Sequence, residues 1–251
     1  FDFEGGLIGY LGYEMRHQCG SHIADVVRHE TPDTAYFFVD RFLAFDFLEE
    51  CIYVVTLVDS VNPDLEQAGR DWMYQMESLL SKNQFQFKEL TTPVTPEVNV
   101  TFRFDRDENQ YLSDIRTCLN HMTLGDSYEL CLTNQISADL ALDPFTLYLH
   151  LRRLNPAPYA AYLNFGEFSI CQSSPEKFIG CNKAHIVIAK PIKGTMKRGA
   201  TPEQDEQLKH DLSTSKKDFS ENLMIVDLLR NDMGKICQQG SVSVPSLMSM
   251  S

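Results

Sequence analysis

The segment best suited to chemistry covers residues 186–195, where an apolar run ends in Lys-Pro-Ile-Lys-Gly-Thr. Its β-branched residues predict a strand, Pro191 stiffens the chain after it, and Gly194 allows a turn or a close approach to a ligand. Lys193 is therefore presented at a rigid strand end beside apolar residues, where desolvation favours its neutral, nucleophilic amine. The alternative is an ordinary surface lysine at the end of a strand.

A second chemical group is Glu176, in the sequence Ser-Ser-Pro-Glu at 173–176. If the chain between Glu176 and Lys193 forms a β-hairpin, the two side chains return to the same end of it. A carboxylic acid beside a nucleophilic amine can protonate a departing hydroxyl. The alternative is a turn glutamate that faces the solvent.

The third chemical segment is a helical pattern near the end of the chain. Asp218 and Glu221 are three residues apart and share one face, while Asp227 and Asn231 are four apart and share another. Apolar residues cover most of the circumference, so we expect a buried helix whose charged groups need partners or a metal. Magnesium, held by one or two carboxylates and substrate oxygens, fits such a helix. The alternative is a core helix in which Asp227 and Arg230 form a salt bridge.

Composition excludes several classes of protein. The chain has 251 residues, and 22 Lys and Arg against 35 Asp and Glu give a net charge of −13. A nucleic-acid binder normally carries a basic surface, which a chain this acidic does not suggest. The negative charge also disfavours docking on an anionic membrane. No apolar run approaches the roughly 18 residues that a transmembrane helix requires.

The cysteines and the chain ends bear on the compartment. Seven scattered cysteines, an odd number without a C-x-x-C, indicate reduced thiols and a cytoplasmic location. The chain begins at Phe1 and stops in Ser-rich sequence, so we expect a piece excised from a longer protein. A transit peptide on that protein would change the expected location to the plastid.

The elements that position these groups predict an α+β fold with largely antiparallel sheets. Apolar runs broken at Glu49-Glu50 predict a hairpin, and strands are expected at 128–137 and within 159–190. Residues 83–100 lose periodicity and contain two prolines, which is typical of a linker. Helix start signals occur at Asn62, Asp107, Asp143 and Asp218, the last helix running to about Asn231.

Read together, five motifs resemble the chorismate-binding enzymes in order and spacing. They are Gly-Asp-Ser-Tyr-Glu-Leu at 125–130, Asn-Pro-Ala-Pro-Tyr at 155–159, Ser-Ser-Pro-Glu at 173–176, Pro-Ile-Lys-Gly-Thr at 191–195, and residues 221–232. The last motif is very specific, and the resemblance covers essentially the whole chain. It implies antiparallel sheets in a sandwich with helices outside, a fold that is incomplete in this chain.

What the resemblance implies chemically is amination of chorismate to 4-amino-4-deoxychorismate, a step toward 4-aminobenzoate and folate. Lys193 would attack ring carbon 2 as the 4-hydroxyl departs with a proton from Glu176. Ammonia, released by a glutamine amidotransferase domain or subunit, would then enter at carbon 4 and expel the lysine. Magnesium would join a chorismate carboxylate to Glu221, and Gly194 and Thr195 would line the substrate.

The resemblance also implies a division of the chain. Asn155, Pro156 and Tyr159 match a family site for tryptophan, which is regulatory in some members and structural in others. Residues 1–88 would form the tryptophan-site side, and 89–251 the N-terminal portion of the catalytic domain. The N-terminal sequence is similar to eukaryotic members in which an amidotransferase domain precedes the synthase on one chain.

Residue 193 separates branches of the family. Anthranilate synthases carry alanine there, so that ammonia reaches carbon 2 directly, and isochorismate-type members activate water with a lysine near the position of Glu129. Lys193 and Glu129 therefore favour amination at carbon 4. Anthranilate synthase component I and a non-catalytic relative stay open as alternatives. Because the family continues past Ser251 with further metal and carboxylate ligands, we expect the 251 residues alone to be inactive.

Overall fold

The computed structural model describes residues 3–20, 30–59, 61–82 and 100–249. The chain divides into two compact units, one made of Phe1–Asn83 with Leu147–Ser251 and the other of Gln84–Thr146. The predicted division between residues 88 and 89 lies outside the described residues, as does most of the predicted linker.

The described strands pair as five antiparallel two-stranded sheets. In the first unit, β1 (Gly6–Leu11) pairs with β2 (Thr34–Val39), β3 (Arg41–Asp46) with β4 (Cys51–Thr56), β7 (Tyr159–Asn164) with β8 (Ser169–Ser174), and β9 (Lys177–Cys181) with β10 (Val187–Lys190). In the second unit, β5 (Phe102–Phe104) pairs with β6 (Ile136–Ala138). The β3–β4 turn contains Glu49-Glu50, as the sequence predicts.

In the ranges that the structure describes, five α-helices accompany these strands. They are α1 (Pro63–Ser81), α2 (Glu108–Leu124), α3 (Pro144–Leu154), α4 (Pro202–Thr214) and α5 (Lys216–Ile236), and a short 3-10 helix covers Tyr13–Cys19. The predicted α+β class with largely antiparallel sheet is confirmed.

Helix start signals in the sequence were accurate where a capping side chain is present. Asn62 accepts a hydrogen bond from the Asp64 amide, and Asp107 accepts one from the Gln110 amide, so α1 and α2 begin as predicted. The side chain of Asp143 accepts from the Thr146 amide at the start of α3. The sequence analysis missed α4 and made α5 too short at both ends.

The strand predicted at 128–137 is wrong for all but its last two residues, which belong to β6. Just before β6, Thr133 and Asn134 bond to Arg106 instead of pairing in a sheet. Arg106 donates from Nη1 to the Thr133 carbonyl at 2.9 Å, and its amide donates to Asn134 Oδ1 at 3.0 Å. Asn134 Nδ2 donates back to the Arg106 carbonyl at 2.9 Å.

Packing in the first unit is concentrated on one face of the β1–β2 sheet. The ring of Phe37 in β2 stacks on Phe165, in the β7–β8 turn, with centroids 4.4 Å apart, and Tyr10 meets the same ring edge-on at 5.8 Å. The opposite face carries Leu7 and Phe38, which are 65% and 70% exposed. Among the described residues no apolar side chain is fully buried. None of the helices in the described ranges is long and apolar enough to cross a bilayer.

Candidate active site

The β9–β10 hairpin brings together the ends of the chain that carry Glu176 and Lys193. The register pairs Lys190 with Lys177 in antiparallel fashion. Glu176 immediately precedes Lys177, and Lys193 follows Lys190 by three residues, so both lie at the same end of the hairpin. The hairpin itself was predicted from the sequence; the roles of the two residues stay predictions.

The two side chains sit in different surroundings. Lys193 is half-buried, whereas Glu176 is exposed in the short connection between β8 and β9. The hydroxyl of Ser174 accepts a hydrogen bond from the Glu176 amide at 3.4 Å and lies 3.3 Å from the Glu176 carbonyl oxygen. The connection is therefore an ordered turn that holds the Glu176 backbone while leaving its carboxyl open to the solvent.

Lys193 lies in the loop at residues 191–200, called the lysine loop below. Gly194 places this loop against the first turn of α5. Its φ of +73° lies in the left-handed region, which disfavours residues with a side chain. A Cβ built on Gly194 would lie 2.9 Å from Asp218 Cβ, Cγ and Oδ1. The sequence predicted a close approach at this glycine; the structure identifies its neighbour as a helix carboxylate. Thr195, the next residue, is exposed.

Glu221 lies one helical turn after Asp218 on α5. Its side chain is 40% exposed, and it forms a loose ion pair with the Lys217 ammonium, 3.7 Å away. In the parts of the chain that the structure describes, no three His, Cys, Asp or Glu side chains converge. Glu221 thus offers one hard oxygen ligand, which fits magnesium in sites where substrate oxygens and water complete the coordination.

The prediction that α5 is buried is wrong. Phe219, Leu223 and Leu228 are each nearly half exposed. Side chains of α5 and of residues 242–247 line an open cavity of about 320 Å³, so this face of the helix is only partly covered. The predicted Asp227–Arg230 ion pair is present, with Nη1 3.1 Å from Oδ1.

The three residues matched to a tryptophan site lie where α3 leads into β7. The amide of Asn155 donates to the Leu151 carbonyl at 2.8 Å, and the Asn155 carbonyl accepts from the Ser173 hydroxyl. Tyr159, 41% exposed, begins β7 opposite Ser174. Asn155, Pro156 and Tyr159 therefore adjoin the end of β8 that continues to Glu176; whether they bind tryptophan stays a prediction.

Sequence reasoning missed two residues that hold the lysine loop, Arg198 and Asp205. The Arg198 guanidinium and the Gly199 amide both bond to the Asp205 carboxylate. The hydrogen bond from Arg198, followed by that from the Gly199 amide, lowers the pKa of Asp205 from 3.8 to about 2. The available signal was Thr-Pro-Glu-Gln at 201–204, which marks a helix start just after an Arg-Gly pair.

Comparison with known proteins identifies the family of the chain. The profile of the chorismate binding enzymes matches residues 2–251. "Aminodeoxychorismate synthase, chloroplastic" of Arabidopsis thaliana is 42% identical over 257 residues, spanning 100% of this chain and 28% of the relative. "Probable aminodeoxychorismate synthase, chloroplastic" of Oryza sativa subsp. japonica is 39% identical over 271 residues, spanning 100% of this chain and 30% of the relative.

A solved structure provides the comparison in three dimensions. The crystal structure of anthranilate synthase component I from Streptococcus pneumoniae superposes with a TM-score of 0.75 at 27% sequence identity, covering 97% of this chain and 53% of that one. The chain thus spans less than a third of the two plant relatives and about half of the solved chain. On its motifs, its fold and the match over residues 2–251, the chain belongs to the chorismate-binding enzyme family.

Proposed function

We propose that the whole protein aminates chorismate at carbon 4 to give 4-amino-4-deoxychorismate, with ammonia derived from glutamine. The observation that carries this proposal is the position of Lys193. It follows β10 at the hairpin end that also holds Glu176, and the glycine after it lies against α5, one turn before Glu221. The names of the plant relatives support the same activity.

The chemistry proceeds in two displacements at the chorismate ring. The lone pair of Lys193 Nζ forms a bond to carbon 2, the two conjugated ring double bonds each shift by one position, and the bond from carbon 4 to its hydroxyl breaks. Glu176 gives its proton to that hydroxyl, which leaves as water. Ammonia then bonds to carbon 4, the electrons shift back, the bond from carbon 2 to Nζ breaks, and Glu176 takes up the surplus proton. The sum is chorismate plus ammonia giving the amino product plus water.

Glu221 is the residue proposed to hold magnesium. When bound, that ion would neutralise a carboxylate of chorismate, a dianion that otherwise meets a chain of net charge −13. Glu221 supplies one carboxylate from α5, with its side chain 40% exposed, and Gly194 and Thr195 would lie beside the substrate. The support for this assignment is the weak engagement of Glu221 with Lys217, which leaves its oxygens available.

Partners and compartment follow from the same proposal. The ammonia donor is a glutamine amidotransferase domain or subunit, and the residues at 155–159 are the candidate tryptophan contact. A cytoplasmic location is expected from the cysteines, while the names of the plant relatives make a plastid location compatible with the family.

The test is substitution of Lys193 in the whole protein, supplied with chorismate, magnesium and ammonia. We expect Lys193→Ala to slow formation of 4-amino-4-deoxychorismate by orders of magnitude, because no other described group replaces a covalent nucleophile. Lys197→Ala, which removes an exposed lysine from the same loop, is the matched control and should retain the parental rate. Products are separated by chromatography and identified by mass.

The outcomes separate the alternatives. Unchanged product formation by Lys193→Ala would remove the lysine from the mechanism. Anthranilate as the sole product of the parental protein would place it with the anthranilate synthases instead. No conversion of chorismate by the parental protein, with each co-substrate present, would favour the non-catalytic relative.

A further inference from the structure

The loop between β10 and α4, residues 191–200, is fixed at its start and again at Gly194. β10 fixes its start through pairing with β9, and Gly194 rests on the first turn of α5. Between Gly194 and the start of α4 the chain has no regular secondary structure. Ordering such a segment costs backbone conformational entropy, so specific contacts are needed to keep it in one conformation.

Those contacts converge on Asp205, in the first turn of α4. Arg198 Nε donates to Asp205 Oδ1 at 2.8 Å, and Arg198 Nη2 donates to Oδ2 at 2.6 Å. The Gly199 amide donates to Oδ1 at 2.8 Å. Both carboxylate oxygens are therefore engaged, one by the side chain and backbone of the loop together and the other by the second arm of the guanidinium.

The loop backbone also lies directly on the helix. A Cβ built on Gly199 would be 2.2 Å from the Asp205 amide nitrogen, a distance no side chain tolerates. The Ala200 amide donates to Gln204 Oε1 at 3.2 Å, while the Gln204 amide donates to Thr201 Oγ1 at 3.3 Å. Thr201 thus caps α4, and the Gln204 side chain reaches back one residue beyond this cap, which joins the loop end to α4.

A single exposed ion pair contributes little, and Arg198 is 89% exposed. The arrangement at Asp205 differs from such a pair because Asp205 itself is only 25% exposed and also accepts from the loop backbone. Its carboxylate therefore determines where the chain of Gly199 lies, not only where a side chain points. The pKa of Asp205, lowered to about 2, keeps it ionised throughout the range in which enzymes work.

We propose that Asp205 is a positioning residue for Lys193: by binding Arg198 and the Gly199 amide, it fixes the far end of the loop and so aims the lysine amine at the substrate. This proposal rests on the proposed function, because it assumes that Lys193 is the nucleophile. Displacement of a reacting group by about 1 Å can cost on the order of a hundredfold in rate.

The test compares three variants of the whole protein. Asp205→Asn removes the charge and weakens the bidentate bond, and Arg198→Lys keeps the charge but loses the fork geometry. Asp139→Asn is the matched control, because Arg103 donates to both Asp139 oxygens, at 2.6 and 3.0 Å, in the other unit of the chain. Each variant is assayed for kcat, for KM toward chorismate and for the ratio of 2-amino to 4-amino products.

We expect Asp205→Asn to lower kcat about ten- to a hundredfold with KM changed less than about threefold, and to raise the share of product aminated at carbon 2. Arg198→Lys should give a smaller change in the same direction, and Asp139→Asn none. Hydrogen exchange of the peptide covering 191–201 should accelerate in Asp205→Asn and remain parental in Asp139→Asn.

Two results would overturn the inference. One is an Asp205→Asn enzyme with parental kcat and product ratio; the other is a loss of rate that merely follows the fraction of folded protein, with the product ratio unchanged. If Asp205→Asn fails to fold, Arg198→Lys carries the same test. The Lys193→Ala variant separates this failure from that of the proposed function: if Lys193→Ala is fully active, the proposed function is wrong whatever Asp205 does.

Discussion

The lysine loop at 191–200 and the turn at 155–159 both contain predicted site residues, yet they are held by different kinds of contact. Side chains of two helices fix the loop: Asp205 binds Arg198 and the Gly199 amide, and Asp218 lies against Gly194. In the turn, by contrast, the backbone of Asn155 makes the contacts, donating to Leu151 and accepting from Ser173. The loop therefore depends on the identity of a few carboxylates, whereas the turn tolerates changes in its own side chains.

The end of β8 connects these two regions. Ser173 bonds to the Asn155 carbonyl, and Glu176 lies three residues further along. Substitutions along this short segment should divide sharply, with effects on chemistry at Glu176 and effects on stability at Ser173. The predictions that follow test that division, from the largest effect to the smallest.

The largest effect is expected at Glu176. Glu176→Gln removes the proposed proton donor without changing the size of the side chain, and kcat should fall by about a hundred- to ten-thousandfold. Glu167→Gln, an exposed glutamate in the β7–β8 turn, is the control and should behave as the parental protein. A fully active Glu176→Gln enzyme would show that Glu176 is a solvent-facing turn residue without a catalytic role.

The next largest effect is expected on the magnesium dependence of activity when Glu221 is replaced. An amide is a poor ligand for a hard dication, so Glu221→Gln should raise the half-saturating magnesium concentration about ten- to a hundredfold. Asp232→Asn, which removes a carboxylate that pairs with Lys235 on the same helix, should leave the magnesium curve in place. Coincident magnesium curves for Glu221→Gln and the parental protein would indicate that Glu221 has a structural role in α5 and does not bind magnesium.

A smaller effect is expected in the pH dependence of stability, through the bonds that Asp205 makes to Arg198 and the Gly199 amide. The pKa of Asp205 is lowered from 3.8 to about 2, chiefly by Arg198 and then by the Gly199 amide. A lowered carboxyl pKa contributes stability that is complete above 3.8 and is lost as the pH falls through about 2. The difference in Tm between the parental protein and Asp205→Asn should therefore be constant at neutral pH and shrink across that acidic window. A difference that grows as the pH falls would contradict this assignment.

The smallest effect is expected in the turn. Ser173→Ala removes the bond to the Asn155 carbonyl and should lower the free energy of unfolding by about 1 kcal/mol, with kcat within about twofold of parental. Asn155→Ala keeps both backbone bonds and should cost less, measured by denaturant unfolding. If Asn155→Ala proved the more damaging of the two, the turn would depend on its side chain and the contrast with the loop would disappear.

The local elements were predictable from sequence because their signals are local. Capping side chains at Asn62 and Asp107 mark where α1 and α2 begin, and the apolar runs around 177–190 predict the hairpin that brings Glu176 toward Lys193. The helix α4 was missed because its sequence is mostly polar and lacks an apolar stripe, leaving only the capping pair Thr201 and Gln204 as a signal.

The sequence could not predict which elements pack on each helix or strand, or which residues form contacts across loops. Periodicity indicates that α5 is rich in apolar residues but not that another element packs on them, and Leu223 and Leu228 are in fact nearly half exposed. Arg198 and Asp205 are seven residues apart, a spacing that predicts nothing unless the turn into α4 is known. A distant residue also affects the strand predicted at 128–137, because Arg106 bonds to the Thr133 carbonyl and the Asn134 side chain just before β6.

The central claim, that Lys193 forms a bond to the substrate, is tested most directly by trapping that bond. The whole protein is mixed with chorismate and magnesium in the absence of ammonia and glutamine, quenched in acid, digested and examined by mass spectrometry. We predict that the peptide containing Lys193 carries the mass of chorismate less water, and that Lys193→Ala carries no adduct. A parental protein that turns over chorismate with ammonia yet forms no adduct at Lys193, or forms it at another lysine, would contradict the account.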